Sequence, residues 1–337
     1  MISSSHRTAR ILAPDATGVA EAARLIRAGG LVAFATETVY GLGADATSPK
    51  AVAKIYAAKG RPSFNPLIAH VTGLEAARRE GRFSAVAERL AKAFWPGPLT
   101  LVLPLAEGAS VCELARAGLA SIALRAPDHA LAQAMLAAVG RPVAAPSANR
   151  SGRVSPVTAA HVLEDLAESI DAVLDAGPTS VGLESTIVAC IEGPPVLLRP
   201  GGVSRERIEA LVGPLAAPVS GKVEAPGMLA SHYAPRARLR LDATDLREGE
   251  AGLDFAGRFG HAAGAPVLDL SPRGDLVEAA GRLYFSLREL DASGCAAIAV
   301  APIPAAGIGE AIRDRLSRAA APRTDDGGGA EASRGRM

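Results

Sequence analysis

Apolar and polar positions follow two different rhythms through about residue 205 of the chain. Short apolar runs typical of strands are separated by alanine-rich segments in which apolar residues recur every three or four positions, as on one helix face. In the first such segment these positions are Val19, Ala22, Ala23 and Ile26, and glycines at 29 and 30 favour a helix end. The alternation predicts an α/β (α+β) domain.

The same pattern locates the individual elements. It predicts helices at 19–28, 48–58, 84–94, 128–139 and 158–168, and strands at 31–35, 67–71, 99–104, 120–125, 142–146, 171–175, 185–191 and 195–198. Several of these strands follow one another without a helix between them. Because parallel neighbours in a sheet need a long crossover, the arrangement favours a mixed sheet.

The composition of the chain changes near Val212, where glycine and proline become frequent up to about residue 235. Such a segment propagates neither helix nor sheet well, so we expect a first domain at 10–211 and a linker at 212–235. A smaller, Rossmann-like α/β domain is expected at 236–321. Its predicted elements are strands at 237–241, 266–270 and 296–301, helices at 275–291 and 308–319, and a helix between the first two strands. The tail at 322–337 is expected to be disordered.

Overall composition argues against several classes of function. The 337 residues exceed one ordinary domain, and a net charge of +1 with 21% charged residues gives no overall attraction to nucleic acid or membrane. The three cysteines are far apart and fit neither a metal site nor a disulfide framework. No apolar run approaches the roughly twenty residues of a membrane span, and no apolar signal core begins the chain. We therefore expect a cytoplasmic protein.

A polar segment follows the apolar strand at 31–35. Residues 36–43 read Thr-Glu-Thr-Val-Tyr-Gly-Leu-Gly, and ligands of open α/β sheets collect at such strand ends. Lys59 and Arg61 follow the next helix and favour an anionic ligand near the same edge. An ordinary strand and turn is the alternative. The two glycines also resemble part of a dinucleotide fingerprint, but no acidic residue stands at the distance that motif requires.

Further polar groups lie at predicted element ends. They are Asn65, His70, Ser121 with Arg125, Ser147 with Asn149, Ser155, Glu184 with Ser185 and Thr186, and Arg199. Guanidinium groups pair bidentately with phosphate and carboxylate oxygens, so this set predicts ligands that carry such groups. The chain has no Gly-x-x-x-x-Gly-Lys-Ser/Thr loop, so side chains would hold the phosphates. Neither Ser147 nor Ser185 lies in Gly-x-Ser-x-Gly, which disfavours a serine hydrolase.

Several of these residues also have an ordinary structural explanation. A lone histidine such as His70 often serves only the fold. Arg125 shares a strand face with Ser121, which favours a joint role, although an arginine that caps a sheet edge is equally common. Ser147 and Asn149 belong to residue types that cap helix N-termini.

Taken together, the motifs resemble those of the YrdC-like family. They are Thr36-Glu37-Thr38-Val39-Tyr40-Gly41-Leu42-Gly43, Lys59-x-Arg61-Pro62, Asn65-Pro66-Leu67, Trp95-Pro96-Gly97-Pro98-Leu99-Thr100, Ala145-Pro146-Ser147-Ala148-Asn149, Glu184-Ser185-Thr186-Ile187 and Leu198-Arg199-Pro200-Gly201. Ala225-Pro226-Gly227-Met228 and Ser231-His232-Tyr233-Ala234-Pro235 resemble the linker of its two-domain members. The chain departs at Ala35, where proline is usual, and at Val157, where threonine is usual.

The resemblance implies a YrdC-like twisted mixed sheet with helices and an enzyme that performs nucleotidyl transfer. The expected reaction condenses L-threonine, bicarbonate or CO2, and ATP into threonylcarbamoyl-AMP and pyrophosphate. The product would pass to a tRNA threonylcarbamoyl transferase machinery for t6A modification. By the same resemblance, the threonine contacts are Thr38, His70, Arg125, Ala145 and Ser185. The ATP contacts are Arg61, Asn65, Ser121, Ser147, Ser155, Arg199 and Tyr233, and the catalytic residues are Lys59 and Arg61.

No covalent nucleophile is expected, because positioning and charge stabilisation dominate phosphoryl-type transfers. Lys59, Arg61 and Arg199 are expected to offset developing charge, with Mg2+ carried on the ATP phosphates. Residues 213–235 are expected to cover the ATP site as a lid with Tyr233 at the nucleotide, a passive tether being the alternative.

Two other hypotheses remain open. One is RNA binding, which fits the destination of the product, although the near-zero charge makes direct tRNA binding weak or absent. The other is a chain that kept the fold and lost the activity, which the intact Lys59-x-Arg61 and Ser147-x-Asn149 motifs disfavour.

Overall fold

A computed structural model describes residues 8–218, 232–260 and 264–322 of the chain. Up to residue 218 its strands are β1 Arg10–Leu12, β2 Val32–Ala35, β3 Tyr40–Asp45, β4 Ile68–His70, β5 Leu99–Pro104, β6 Ser121–Arg125, β7 Val143–Ala144, β8 Ala172–Leu174, β9 Thr186–Ala189 and β10 Val196–Arg199. The helices are α1 Ala16–Arg27, α2 Pro49–Lys59, α3 Leu74–Arg78, α4 Ala85–Phe94, α5 Ala130–Val139, α6 Ala159–Leu166 and α7 Arg205–Val212, with a 3-10 turn at Glu113–Arg116.

Ten strands form one mixed sheet in the order β1-β8-β2-β3-β7-β4-β6-β5-β9-β10. The pair β4 and β6 is parallel and places His70 opposite Arg125. The pair β5 and β9 is also parallel, whereas β5 and β6 run antiparallel. The prediction of a mixed sheet with helices is therefore confirmed. The register brings the carboxyl ends of β4 and β6 side by side.

Helix α2 shows how local sequence delivers residues to that edge. The Ser48 hydroxyl accepts a hydrogen bond from the Ala51 backbone N–H, and Pro49 occupies the first turn. The helix ends at Gly60, whose φ of 60° is left-handed and suits a residue without a Cβ. This turn reverses the chain, so Lys59 and Arg61 leave the helix on the side of the sheet edge.

The strand β3 was missed by the sequence pattern, which assigned its glycines to a turn after the strand at 31–35. In the structure β2 and β3 form an antiparallel pair with Phe34 opposite Gly41. A Cβ at Gly43 would lie 2.9 Å from the Phe34 ring, and one at Gly41 would lie 3.2 Å from the Ala145 Cβ. Glycine weakens strand propensity in isolation, but here it lets a neighbouring ring and strand approach closely.

The remaining described strands form a second sheet. Its elements are β11 Arg238–Arg240, β12 Glu250–Asp254, β13 Val267–Asp269 and β14 Ala297–Val300, with helices α8 Leu276–Ala292 and α9 Gly309–Ala320. The order is β11-β14-β12-β13, and all three pairings are parallel. The helix predicted between the first two strands was wrong. That region holds the buried strand β12, which a short apolar run containing Gly252 did not distinguish from helix.

One buried apolar cluster joins the part of the chain before residue 218 to the part after residue 232. Val39, Val154 and Leu183, which precede residue 218, pack in the same buried cluster as Leu283 and Ile312. Close packing is strict at Gly182, where an added Cβ would lie 2.6 Å from the Ala280 carbonyl. The elements after residue 232 therefore lie against the larger sheet rather than apart from it.

Some sequence predictions stay untested. The domain limits 10–211, 212–235 and 236–321 remain predictions. Most of the predicted lid, 219–231, and the tail from 323 lie outside the described residues. Among the helices that the structure describes, none is long and apolar enough to cross a membrane.

Candidate active site

A pocket opens at the edge of the larger sheet, where β4 and β6 end. Its lining is Thr38, Val39, Arg61, Ile68, His70, Arg125, Ala145, Pro146, Ser147, Glu184, Ser185, Arg199, His232 and Tyr233. These residues come from strand ends and loops that are far apart in sequence. Nine of them were predicted as site residues: Thr38, Arg61, His70, Arg125, Ala145, Ser147, Ser185, Arg199 and Tyr233.

Two buried hydroxyl pairs fix the polar floor of the pocket. The Oγ1 atoms of Thr36 and Thr38 lie 2.8 Å apart, and Thr36 donates to the Val39 carbonyl. The hydroxyls of Ser185 and Thr100 lie 2.7 Å apart. Each pair gives a pocket hydroxyl a buried hydrogen-bond partner before any ligand binds, which suits selection of a ligand that itself carries a hydroxyl.

Arg125 lies at the end of β6 and is held by a carboxylate. Its Nη2 is 2.7 Å from Glu37 Oε1, and its Nε donates to the Gly97 carbonyl at 3.4 Å. Both side chains are buried. The pocket wall therefore contains a desolvated ion pair, whose strength depends on both partners remaining charged.

Arg61 and Arg199 supply further positive charge. Arg61 donates to the carbonyls of Asn65 and Pro66, and burial lowers the pKa of its guanidinium to about 10. Arg199 donates twice to the Ser185 carbonyl, and burial also lowers the pKa of Arg199. A pKa lowered in this way means that the charge is costly here, so an incoming anion would be favoured.

Two buried histidines face the pocket in their neutral form. Burial, reinforced by Arg125, lowers the pKa of His70 from 6.5 to about 3. Burial likewise lowers the pKa of His232 to about 3. The Nδ1 atom of His232 is buried without a hydrogen-bond partner among the residues that the structure describes. An unsatisfied buried nitrogen at a pocket wall is the kind of group that a ligand would satisfy.

Tyr233 lies in the pocket wall in a restrained conformation. Its φ of 64° is left-handed, which is uncommon for a bulky side chain and costs energy unless neighbours hold it. The ring packs on Tyr284 at a centroid distance of 5.9 Å and on His232 at 4.0 Å. The guanidinium of Arg315 lies 5.0 Å from the same centroid. These contacts fix the ring beside Arg199 and Arg61.

Glu184, the carboxylate among the described residues that line the pocket, accepts hydrogen bonds from three side chains. Its Oε1 accepts from Ser155 at 2.6 Å, and its Oε2 accepts from Tyr284 at 2.8 Å and from Arg315 at 2.7 Å. Burial favours the neutral acid, but Arg315, Arg199 and the Ser155 hydrogen bond outweigh it. The result lowers the pKa of Glu184 from 4.5 to about 2, so the group is an anion near neutral pH.

Glycine is required behind this carboxylate. A Cβ at Gly201 would lie 2.4 Å from the Glu184 carbonyl oxygen and 2.4 Å from the Thr186 backbone nitrogen. The next residue, Gly202, donates its N–H to the Glu184 carbonyl at 3.0 Å. The chain after β10 therefore lies directly on the segment that carries Ser185.

Four predicted site residues do not line this pocket. Lys59 is buried and donates to the carbonyls of Ser147 and Asn149 at 2.6 and 2.5 Å, and burial lowers the pKa of Lys59 well below its ordinary value. Asn65 is buried beside Arg61, with its Oδ1 unbonded in the described part of the chain. Ser155 lies behind Glu184. Ser121 begins β6, about 13 Å along the strand from Arg125 at its end.

Three further residues belong to the sequence motifs described above, but the sequence analysis predicted no ligand contact for them. Glu184 and His232 line the pocket, and Glu37 pairs with Arg125. Each stands next to a residue that was predicted, so the motifs could have indicated them. Arg315 and Tyr284 carried no such signal, because each lies within an ordinary amphipathic helix.

Comparisons with known proteins give consistent results along the chain. The family model of the Sua5, YciO and YrdC proteins, described as Telomere recombination, matches residues 24–201. A second model, described as Threonylcarbamoyl-AMP synthase, C-terminal domain, matches residues 203–321. The first match covers most of the part of the chain that forms the ten-stranded sheet, and the second includes the part that forms the four-stranded sheet.

Individual relatives match over most of their length. The chain is 41% identical to the threonylcarbamoyl-AMP synthase of Bacillus subtilis, covering 90% of this chain and 93% of that one. It is 42% identical to that of Pyrococcus abyssi, covering 90% and 94%. The crystal structure of P. abyssi Sua5 complexed with L-threonine superposes with a TM-score of 0.84 at 37% identity, covering 92% of this chain and 97% of that one.

Proposed function

This chain belongs to the Sua5/YciO/YrdC family and carries the C-terminal domain of its threonylcarbamoyl-AMP synthases, and from that premise we propose its reaction. The enzyme condenses L-threonine, bicarbonate or CO2, and ATP into threonylcarbamoyl-AMP and pyrophosphate. It is a nucleotidyltransferase that acts in t6A synthesis for tRNA. The observation that carries the proposal is the convergence of predicted threonine and ATP contacts on one buried cationic pocket.

We assign the threonine subsite to Thr38, His70, Arg125, Ala145 and Ser185, which all line the pocket. A relative has been crystallised in complex with L-threonine, which supports a threonine site in this fold. The Arg125 guanidinium would bind the substrate carboxylate. The substrate would then either share this guanidinium with Glu37 or displace Glu37 from it. The hydroxyls of Thr38 and Ser185, each hydrogen-bonded to a second hydroxyl, would contact the substrate hydroxyl.

We assign the ATP subsite to the neighbouring wall, where Arg61, Ser147, Arg199 and Tyr233 line the pocket. The two guanidinium groups would bind phosphate oxygens, which relieves the cost of keeping buried cations charged. Asn65, Ser121 and Ser155 remain proposed ATP contacts that the pocket lining does not include. Lys59 would act through the Ser147 and Asn149 carbonyls that it holds.

The chemistry has two steps. The neutral threonine amine adds to CO2 and loses a proton, which gives a carbamate. A carbamate oxygen then attacks the α-phosphate of ATP while the bond to pyrophosphate breaks. Arg61 and Arg199 would stabilise negative charge as it moves to the departing pyrophosphate, and positioning of the two substrates supplies much of the rest.

Mg2+ would enter this site as the magnesium complex of ATP. The one carboxylate in the pocket lining, Glu184, already accepts hydrogen bonds from three side chains, so its oxygens are not oriented toward a metal. The other charged groups of the lining are arginines, which bind phosphate rather than metal. Phosphate oxygens are therefore the ligands we propose for the ion.

We further propose that the enzyme works in the cytoplasm and releases its product to a tRNA threonylcarbamoyl transferase. The three cysteines are free, as is usual in a reducing compartment. Direct tRNA binding would be weak or absent, because the net charge of +1 offers little electrostatic attraction to a polyanion.

Pyrophosphate release in the absence of RNA tests the proposal. The purified protein receives MgATP and bicarbonate, with and without L-threonine. Release that depends on threonine supports the synthase. Release that needs tRNA, or that ignores threonine, rejects it. The same protein with D-threonine serves as a substrate control, because the pocket is chiral.

A further inference from the structure

One arginine from helix α9 contacts three segments of the active-site wall. Arg315 is fully buried and lies in α9, a helix of the part of the chain that forms the second sheet. Its Nε donates to Glu184 Oε2 at 2.7 Å, and its Nη2 donates to the Pro200 carbonyl at 3.0 Å. Its guanidinium also lies 5.0 Å from the centre of the Tyr233 ring.

The three segments are those that present proposed substrate contacts. Glu184 precedes Ser185, Pro200 follows Arg199, and Tyr233 lines the pocket itself. A single planar group therefore contacts the segments that carry the proposed threonine contact Ser185 and the proposed ATP contacts Arg199 and Tyr233. A guanidinium can do this because it offers donors in several directions within one rigid plane.

Neighbouring groups make this arrangement rigid. Asp314 accepts from Arg315 Nη1 at 2.6 Å, and Tyr284 donates to the same Glu184 oxygen that Arg315 binds. Every nitrogen of the Arg315 side chain therefore has a hydrogen-bond acceptor. Because each of the three nitrogens has an acceptor, the guanidinium plane is restrained in one orientation.

We propose that Arg315 is a positioning residue of the active site, through which the second sheet fixes the relative placement of the threonine and ATP subsites. Arg315 does not line the pocket and touches no substrate in this account. The inference rests on the proposed function, because it concerns the same two subsites. In this proposal, helix α9, which follows residue 232, helps to determine the geometry of the pocket.

The test must separate positioning from simple charge balance. Arg315→Lys keeps a positive charge beside Glu184, but an ammonium cannot bind Glu184, reach the Pro200 carbonyl and stack on Tyr233 at once. Arg315→Met combined with Glu184→Gln removes both charges, so no buried charge is left alone. Arg313→Met is the matched control, since Arg313 lies on the same helix and donates only to the Ile303 carbonyl.

Each variant is first checked for folding by urea denaturation and then assayed. We expect the folded Arg315→Lys and double variants to lose threonine-dependent pyrophosphate release on the order of a hundredfold, as for small misplacements of reacting groups. Dissociation constants for threonine and for a non-hydrolysable ATP analogue should both rise about tenfold or more. The Arg313→Met control should match the wild type.

Specific outcomes overturn the inference. Wild-type turnover in folded Arg315→Lys would mean that charge balance alone is needed. Wild-type turnover in the folded double variant would mean that the contacts to Pro200 and Tyr233 do not matter. If neither the wild type nor the Arg313→Met control releases pyrophosphate with threonine, the proposed function fails, which is a separate result.

Discussion

Glu37 and Arg125 form an ion pair inside the pocket wall, with 2.7 Å between Oε1 and Nη2. Both side chains are buried, so removal of either one would leave the other without its partner away from water. The same guanidinium is our proposed partner for the threonine carboxylate. The protein therefore holds Arg125 with an internal carboxylate in the pocket where a substrate carboxylate would bind.

This relationship predicts a particular behaviour of Glu37→Gln. Removing one partner of a buried ion pair should lower the free energy of unfolding by about 3 to 5 kcal/mol. Threonine should then bind more tightly than to the wild type, because its carboxylate no longer competes with Glu37 for Arg125. Calorimetric titration with L-threonine measures this. Glu80→Gln is the control, since Glu80 is a buried carboxylate bound to Ser110 and outside the pocket lining. Unchanged or weaker threonine binding by Glu37→Gln would contradict the shared role of Arg125.

Arg61→Ala should abolish most synthesis. The guanidinium faces the proposed phosphate site while donating to two backbone carbonyls. Losing a charge-assisted contact in the transition state should cost about 2 to 4 kcal/mol, or on the order of a hundredfold or more in kcat/KM. Arg116→Ala is a matched control, because Arg116 also donates to backbone carbonyls, those of Val111 and Leu119, but lies outside the pocket lining. Equal activity of the two variants would show that Arg61 does not bind the substrate phosphates.

Selectivity for threonine should depend on the hydroxyl of Ser185, which lines the pocket. A site that hydrogen-bonds a hydroxyl rejects analogues that lack one, because its own polar groups are left unpaired. Serine should therefore be a poor substrate and 2-aminobutyrate a worse one. Ser185→Ala should narrow the ratio of kcat/KM between threonine and 2-aminobutyrate. Competition assays with both amino acids measure the ratio directly, and a ratio that Ser185→Ala leaves unchanged counts against this model.

Stability should fall in mild acid because of buried neutral histidines. The pKa of His70 is lowered from 6.5 to about 3, so an unfolded chain binds a proton there before the folded one does. Keeping the His70 imidazole neutral contributes its full share to the free energy of unfolding above pH 6.5. That share is lost as the pH falls from 6.5 toward 3, by about 1.4 kcal/mol per pH unit for each such group. His232 behaves in the same way.

The variant His70→Gln isolates this effect. Urea unfolding at about pH 7 and about pH 5 gives the loss of unfolding free energy between the two conditions. We expect the loss to be smaller in His70→Gln by about 2 kcal/mol, the contribution of one proton over this window. Identical losses in the two proteins would show that His70 is not held neutral by the fold.

Much of the fold followed from local patterns. Helix α2 was predicted to within one residue at each end, because Ser48 and Gly60 are strong capping signals. Strand β3 was missed because its glycines are favourable only once Phe34 and Ala145 are in place. Strand β12 was mistaken for a helix because a short apolar run carries too little periodicity to decide.

In the site, too, residues in local motifs could be predicted from the sequence, whereas contacts between distant residues could not. Residues of the pocket such as Thr38 and Arg199 lie in compact polar motifs at element ends, which a linear sequence displays. The placement of Lys59 toward two carbonyls could not be deduced, because it depends on the path of a loop nearly ninety residues later. The contact between Arg315 and Glu184 joins positions 131 residues apart and has no local signature.

One pocket, in our proposal, joins threonine, a one-carbon unit and the nucleotide in a single product. The direct measurement is mass spectrometry of the product formed from L-threonine, MgATP and 13C-bicarbonate. We expect a threonylcarbamoyl-AMP ion that carries one 13C atom, is formed in equal amount with pyrophosphate and is lost in Arg61→Ala. Unlabelled product, or formation of threonyl-AMP without the added carbon, would contradict it.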